Sequence, residues 1–318
     1  MAEIGETSPV VLAESARRST LSPMAGRIML TGASGFVGSA IVRELESRGY
    51  GVSAMSRSGG GIFAPAALDA AIRGCEAVIH LVGIIKERPS AGVTFEGVHY
   101  EGTVRVVDAA VRAGVRRFVH MSALGARPGA ASNYHRTKYA AEEYLRASEL
   151  DWTIFRPSLI HGPRGEFMRM EARWARRTAP PFLFMPYFGG GLLGRRGAGR
   201  LQPVFVEDVA RAFVDALEKP KTIGEVYPFG GPDQLTWPQL HRLCARAIVG
   251  HERWVAALPA WYAKLITRIV PGALLPFNRD QVIMSQEDNI CDLTKFVDAF
   301  GWSPRAMEQT LSGYAKAL

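Results

Sequence analysis

Cysteine is scarce in this chain: Cys75, Cys244 and Cys291 are the only three in 318 residues. They form no CxxC pair and no other metal-ligand spacing, so neither a zinc module, another metal site nor a disulfide framework is expected. Free thiols in a reducing compartment are. No uninterrupted apolar run reaches the length of a bilayer-spanning helix. The opening residues, MAEIGETSPVVLAESARRST, carry Glu3 and Glu6 where an export signal needs positive charge, and they lack an apolar core. These absences predict a cytoplasmic protein, with peripheral attachment at the inner face of the membrane as a variant of that reading. Residues 1–23, ending at Ser22-Pro23, read as a loose extension. Acidic residues are outnumbered, 30 against 38 basic, giving a formal charge of +8 and a pI near 9.6. No helix-turn-helix, finger or RNP-like signature accompanies that excess, which argues against nucleic acid and leaves an anionic cofactor or surface as its partner.

What is present is a 47% hydrophobic chain with a regular alternation of short apolar strands and amphipathic helices. Strands are expected at Arg27–Thr31, Gly51–Met55, Ala77–Val82, Arg117–Met121 and Thr153–Arg156. Helices are expected at Ser39–Arg48, Ala66–Arg73, Gly102–Ala113 and Tyr134–Ser148. The alternation predicts an α/β, Rossmann-type doubly wound parallel sheet covered on both faces. One unit is too short: only SGGGIFA separates Arg57 from Pro65, so the third strand is read as shortened or absent. The organisation expected is a nucleotide-binding domain over 24–220, with a cleft loop at 163–200, and a smaller, mostly helical lobe over 221–318.

The most informative stretch is the strand–turn–helix containing Thr31-Gly32-Ala33-Ser34-Gly35-Phe36-Val37-Gly38. Gly32 allows the tight turn, Gly35 lets backbone approach a pyrophosphate, and Gly38 lets helix and strand pack closely. The helix N-terminus offers N–H groups and a favourable dipole to phosphate. The strand–turn–helix context is what separates this from a chance glycine pattern in a chain with 33 glycines. At the end of the second strand stands Ser56-Arg57-Ser58, where an acidic residue would bind the ribose hydroxyls of NAD. The guanidinium of Arg57 suits a 2′-phosphate, so NADP(H) is the expected cofactor and NAD the lesser possibility.

The fourth strand delivers Ser122 to the carboxyl edge of the sheet, where ligands bind in this fold. Just beyond, Tyr134 and Lys138 stand at i,i+4 on one helix face. The ammonium of Lys138 is expected to lower the Tyr134 pKa and make it an acid/base near neutral pH, with Ser122 donating to a substrate carbonyl. Lys138 also suits the nicotinamide ribose. His99 and His161 read as structural or cleft-lining histidines rather than bases.

The runs HLVGII (80–85), FVHMSALGA (118–126), YHRTK (134–138), FRPSLIHGP (155–163), QPVFVEDVA (202–210), GEVYPFGGPDQLTWPQL (224–240) and NRDQVIMSQEDN (278–289) resemble the atypical, or extended, short-chain dehydrogenases. Within these they are similar to bacterial relatives of the nucleotide-binding accessory subunit of respiratory complex I. The resemblance covers nearly everything from Gly26 onward. It implies a tightly held NADP(H), with Leu81, Val82, Gly83, Arg156 and Pro157 joining the cofactor site. Two departures stand out. Gly60-Gly61 replaces a Gly-Asp pair usual in that family, which removes an adenine-side contact, and His99 sits near a position where related enzymes often use Asn.

Two functions fit these readings. One is an NADP(H)-dependent oxidoreductase or epimerase/dehydratase-type enzyme using Ser122, Tyr134 and Lys138. The other is a non-catalytic NADP(H)-binding accessory or assembly protein of a complex I-like assembly. The 164–200 loop interleaves eight arginines (Arg164 to Arg200) with Phe182, Phe184, Met185, Tyr187 and Phe188. It fits an amphipathic or quinone-like substrate, or a membrane-associated partner. The segment LPAWYAKLITRIVPGALLPF (258–277) is expected to pack into the small lobe; the alternative is an exposed segment that forms one amphipathic surface with the arginines of 164–200, suited to docking on a membrane-bound complex.

Overall fold

The computed structural model describes residues 25–55, 60–194, 196–270 and 275–318. The expected extension at 1–23 and Arg57 lie outside the described residues. Through the first half the chain alternates β1 (Ala25–Thr31), α1 (Phe36–Ser47), β2 (Tyr50–Met55), α2 (Pro65–Ile72), β3 (Ala77–His80), α3 (Gly102–Arg112), β4 (Arg117–Met121), α4 (Asn133–Arg146) and β5 (Asp151–Pro157). There follow β6 (Ile160–His161), α5 (Glu166–Ala175), β7 (Met185–Gly189), β8 (Val204–Phe205), α6 (Val206–Glu218) and β9 (Glu225–Phe229). The last third holds α7 (Trp237–Val249), β10 (Val255–Pro259), α8 (Ala260–Ile269), α9 (Arg279–Met284), α10 (Thr294–Phe300) and α11 (Met307–Ser312).

Six strands form one parallel sheet in the order β2-β1-β3-β4-β5-β9. The order steps outward from β1 in both directions, the doubly wound arrangement whose ligand crevice lies at the carboxyl edge beside β1 and β3. Between β2 and α2 the described residues hold a single 3₁₀ turn, Gly61–Phe63, and no strand, so β2 is the edge of the sheet. Seven residues between Arg57 and Pro65 cannot supply a helix, a strand and two turns. β9, which sequence patterning had placed in the smaller lobe, is the sixth strand, paired to β5 from Thr153↔Glu225 to Pro157↔Phe229. The chain therefore crosses back over the expected boundary at residue 220.

The strands are buried on both faces, which is why they read as apolar runs rather than as alternating patterns. One face packs Ile28, Leu30 and Phe155 against α1 and α6, where Phe155 and Phe213 lie 4.7 Å apart. The other packs Met29, Val78 and Phe118 against α2 and α3. α10 closes the β9 end with Phe296 on Phe229 at 4.4 Å. The smaller layer contains α5, α7, α8, α9, α11 and two parallel two-stranded ribbons, β7–β10 and β6–β8. No helix among the described residues is long and apolar enough to cross a membrane. The expectation that 258–277 is packed away is corrected: Trp261, Tyr262, Leu265 and Ile269 are exposed, and only Ala260 and Ala263 of α8 are buried.

Candidate active site

β1 ends at Thr31, and the turn that follows is shaped by backbone alone. Gly32 takes φ +75°, and Gly35 N–H closes the turn on the Gly32 carbonyl at 2.9 Å. A Cβ on Gly38 would stand 2.1 Å from that same carbonyl oxygen, so no larger residue fits. α1 starts at Phe36 with neither a side-chain cap nor an acidic residue in its first turn. Its first N–H groups and its dipole are left for an anion. These features fit the pyrophosphate of a dinucleotide. The Phe36 ring turns the other way, onto Gly162 and Gly165. Thr31 points inward: its hydroxyl accepts from Leu81 N–H at 3.2 Å and pairs with His80 Nδ1 at 2.7 Å, tying the turn to the loop after β3.

That loop carries Leu81, Val82 and Gly83 past the turn; Leu81 and Val82 are in contact range of Gly32. A Cβ placed on Gly83 would lie 3.0 Å from Lys138 Nζ and 3.6 Å from His99 Nε2. The Gly83 backbone thus runs directly beside the helix α4 amine. Lys138 is buried and donates to the Met121 carbonyl at 3.0 Å. Burial pulls its pKa down to about 8, opposed by the nearby Glu142 carboxylate. Tyr134, one turn earlier, is half-buried, and its hydroxyl makes no hydrogen bond to a described residue. Its pKa moves opposite to the sequence expectation: burial pushes it up to about 12. Desolvation is the cause, and the phenol is protonated at neutral pH.

His99 belongs to a π-helical turn, Glu96–Glu101, that leads into α3. Such turns are rare and sequence periodicity does not announce them. Its ring stands edge-on to Tyr134 at 5.1 Å, pairs with Thr137 Oγ1 at 2.9 Å, and meets the Ile84 backbone at 3.0 Å. His80 and His120 stack beneath, 5.4 Å apart. Burial and the Lys138 charge hold all three imidazoles below their usual range, so they are neutral at pH 7. His161 lies elsewhere, buried against the Tyr314 hydroxyl at 2.8 Å.

The role read for Ser122 needs correction. Its hydroxyl donates to the wholly buried Glu142, which also receives two N–H groups from Arg156, at 2.8 and 2.6 Å, and one from Arg146 at 2.7 Å. A hydroxyl has one proton, and this one is held by a carboxylate rather than offered to a substrate. Arg156 is likewise engaged away from the cofactor turn, while Pro157 contributes its carbonyl to Leu124 N–H at 3.0 Å. Glu142 was missed in the sequence, although Tyr134, Lys138 and Glu142 follow one another at i, i+4 and i+8.

A roof crosses this site. Asn278 and Lys86 join residues 275–278 to the loop after β3, through Asn278 to the Ile85 carbonyl at 2.7 Å and Lys86 to the Leu275 carbonyl at 3.0 Å. Asp280 accepts Asn133 N–H at the start of α4 at 2.6 Å, and Asn289 binds Ser158 and the Leu124 carbonyl. A cavity of about 430 Å³ opens beside α4 between Phe95, Asn133, Arg136 and Thr137. A larger groove of about 820 Å³ lies in the small lobe around Arg242, Arg246 and Glu308, away from these groups. Neither lining includes Tyr134, Lys138 or the glycine turn.

The sheet order, the glycine turn and the tyrosine–lysine helix define a short-chain dehydrogenase/reductase fold with a nucleotide crevice. The chain belongs to the NAD dependent epimerase/dehydratase family, whose model matches residues 28–230. It is similar to a ceramide reductase of Caulobacter vibrioides, 35% identical over 153 residues that cover 43% of this chain and 47% of that protein. It is also similar to the mitochondrial NADH dehydrogenase [ubiquinone] 1 alpha subcomplex subunit 9 of Arabidopsis thaliana, 30% identical over 180 residues, 56% of this chain and 42% of that one. These matches span less than half the length of either relative. Among solved structures, the UDP-glucose 4-epimerase of Thermotoga maritima superposes with a TM-score of 0.69 at 23% identity, over 91% of this chain and 97% of that one.

Proposed function

We propose that this protein is an NADP(H)-dependent oxidoreductase that reduces a carbonyl on an amphipathic, lipid-like substrate. The observation that carries the reading is the Tyr134 hydroxyl: it has no hydrogen-bond partner among the described residues, lies on the helix face whose next turn places Lys138 beside Gly83, and is kept protonated by burial. A bound nicotinamide supplies hydride chemistry. Tyr134 holds the proton that a reduced carbonyl oxygen must receive, which favours reduction over oxidation as the working direction. Lys138, still charged below about pH 8, stabilises negative charge developing at that oxygen and is placed to hold a ribose hydroxyl. Glu142, Arg156 and Ser122 act through α4 as positioning residues. The Caulobacter relative, named a ceramide reductase, supports a lipid carbonyl as substrate. So does the aromatic and arginine-rich loop over 164–200.

NADPH consumption with long-chain ketone lipids of the ceramide type tests the reading. Tyr134→Phe should lower turnover by about 100-fold or more while leaving NADPH binding intact. Equal turnover in the variant removes Tyr134 from the chemistry. A second reading, a nucleotide-binding accessory protein that never turns over, is favoured by the Ser122–Glu142 bond and by the mitochondrial relatives. Bound NADPH that stays reduced in the presence of every such lipid would select it.

A further inference from the structure

Helix α8 is inverted for a helix at the surface of a protein in water. It turns Ala260 and Ala263 inward and leaves Trp261, Tyr262, Leu265 and Ile269 exposed, Ile269 at 73%. With 3.6 residues per turn these four and Arg268 fall within one sector of about 120°. A neighbouring turn adds Leu192 at 76% and Leu193 at 64% exposure. The Trp261 indole N–H donates to the Leu192 carbonyl at 2.9 Å, which joins helix and turn into a single face. Isolated exposed apolar side chains are ordinary, but six large ones on two linked elements are not.

Along the sequence, the segments that carry this face hold charge of one sign. Between Glu171 and Glu207 the sequence has no acidic residue and six arginines: Arg173, Arg176, Arg177, Arg195, Arg196 and Arg200. Between Glu252 and Asp280 it again has none, with Arg253, Lys264, Arg268 and Arg279. The first acid after α8, Asp280, caps α4. We propose that the face formed by α8 and the Leu192–Leu193 turn docks on an anionic lipid bilayer, the apolar side chains entering the headgroup boundary and the flanking Arg196, Lys264 and Arg268 meeting lipid phosphates. Tryptophan and tyrosine beside basic residues are what an interfacial helix presents to lipid. A second copy of the chain is a poor occupant, because it would set two acid-free, basic faces against each other. α8 packs on α9, which belongs to the roof of the Tyr134 site, so the docked face adjoins the mouth through which a lipid substrate would enter.

Flotation of the full chain with vesicles tests this without substrate, so it stands or falls separately from the hydride chemistry. Vesicles of phosphatidylcholine with phosphatidylglycerol should retain the protein at low salt and release it as salt rises. Vesicles of phosphatidylcholine alone should retain less, since surface charges are screened beyond about 8 Å at physiological ionic strength. The variant Leu192→Ser/Trp261→Ser/Ile269→Ser should lose about tenfold or more of its vesicle affinity at an unchanged melting temperature. Arg196→Glu/Arg268→Glu leaves the apolar face intact and should lose the preference for phosphatidylglycerol, a readout that holds even where the serine variant folds poorly. No retention on anionic vesicles at low salt overturns the proposal. So does equal retention of both variants, or a native mass that drops from dimer to monomer in the serine variant, which would assign the face to a second copy.

Discussion

At the scale of single residues, the site turns on a lysine buried where charge is costly. Lys138 has a pKa of about 8 in the folded chain against 10.5 as a free side chain, the shift being due first to burial. The folded state therefore binds fewer protons than the unfolded state between those values. Stability is depressed below about pH 8 and recovers as pH rises toward 10.5, a difference worth about 3 kcal/mol. Lys138→Met should accordingly melt higher than the parent at pH 7, with the gap closing toward pH 10, and should lose turnover. Under the proposed reduction, the rate should fall about tenfold per pH unit above pH 8 as the ammonium is lost; a rate flat to pH 10 would take Lys138 out of catalysis. The residue types were legible in the sequence because Tyr134 and Lys138 share a helix face. Their protonation was not. Spacing announces the neighbouring ammonium, whereas the desolvation that dominates Tyr134 comes from Phe95 and His99, which the chain brings in from elsewhere. Ser122 failed for a similar reason: β4 does deliver it to the sheet edge, but Glu142 is twenty residues away and reaches it first.

At the scale of elements, the turn from β1 into α1 is the part most firmly determined by sequence, because its constraints are local. Gly38 shows how firmly. An added methyl would collide with the Gly32 carbonyl at 2.1 Å, so Gly38→Ala must open the turn or tilt α1 away from β1. NADPH affinity should fall by at least about tenfold and the melting temperature should drop with it, checked by calorimetry and thermal unfolding on one preparation. An alanine variant with parental affinity would mean the pyrophosphate does not sit there. Sequence patterning places β4 to the residue and β1, β2, β5 and β3 to within one or two, β3 stopping two residues early at His80. That strand ends because His80 turns its ring onto Thr31 and Thr103, a pairing between positions far apart in the chain. α8 was misjudged because its apolar content was read as core; only the burial of its alanines reveals which side faces the protein.

At the scale of the whole molecule, nucleotide binding should be visible as stability. A ligand held only by the folded state adds about 2.7 kcal/mol at a hundredfold excess over its Kd. NADPH should raise the melting temperature more than NADH at equal concentration, and Arg57→Asp should narrow or reverse that order. Equal shifts for the parent chain would remove the NADP preference. The absence of a third strand among the described residues has a consequence of another kind. β2 has β1 on one side and, among the described residues, no strand on the other. Its outer row of peptide groups is a template, and an extended segment from an unfolding neighbour can be copied onto it in register. The sequence Tyr50-Gly-Val-Ser-Ala-Met55 carries neither proline nor charge to discourage this. The shortening thus leaves the molecule with a growth edge, and heat-aggregated protein should gain intermolecular sheet from there first.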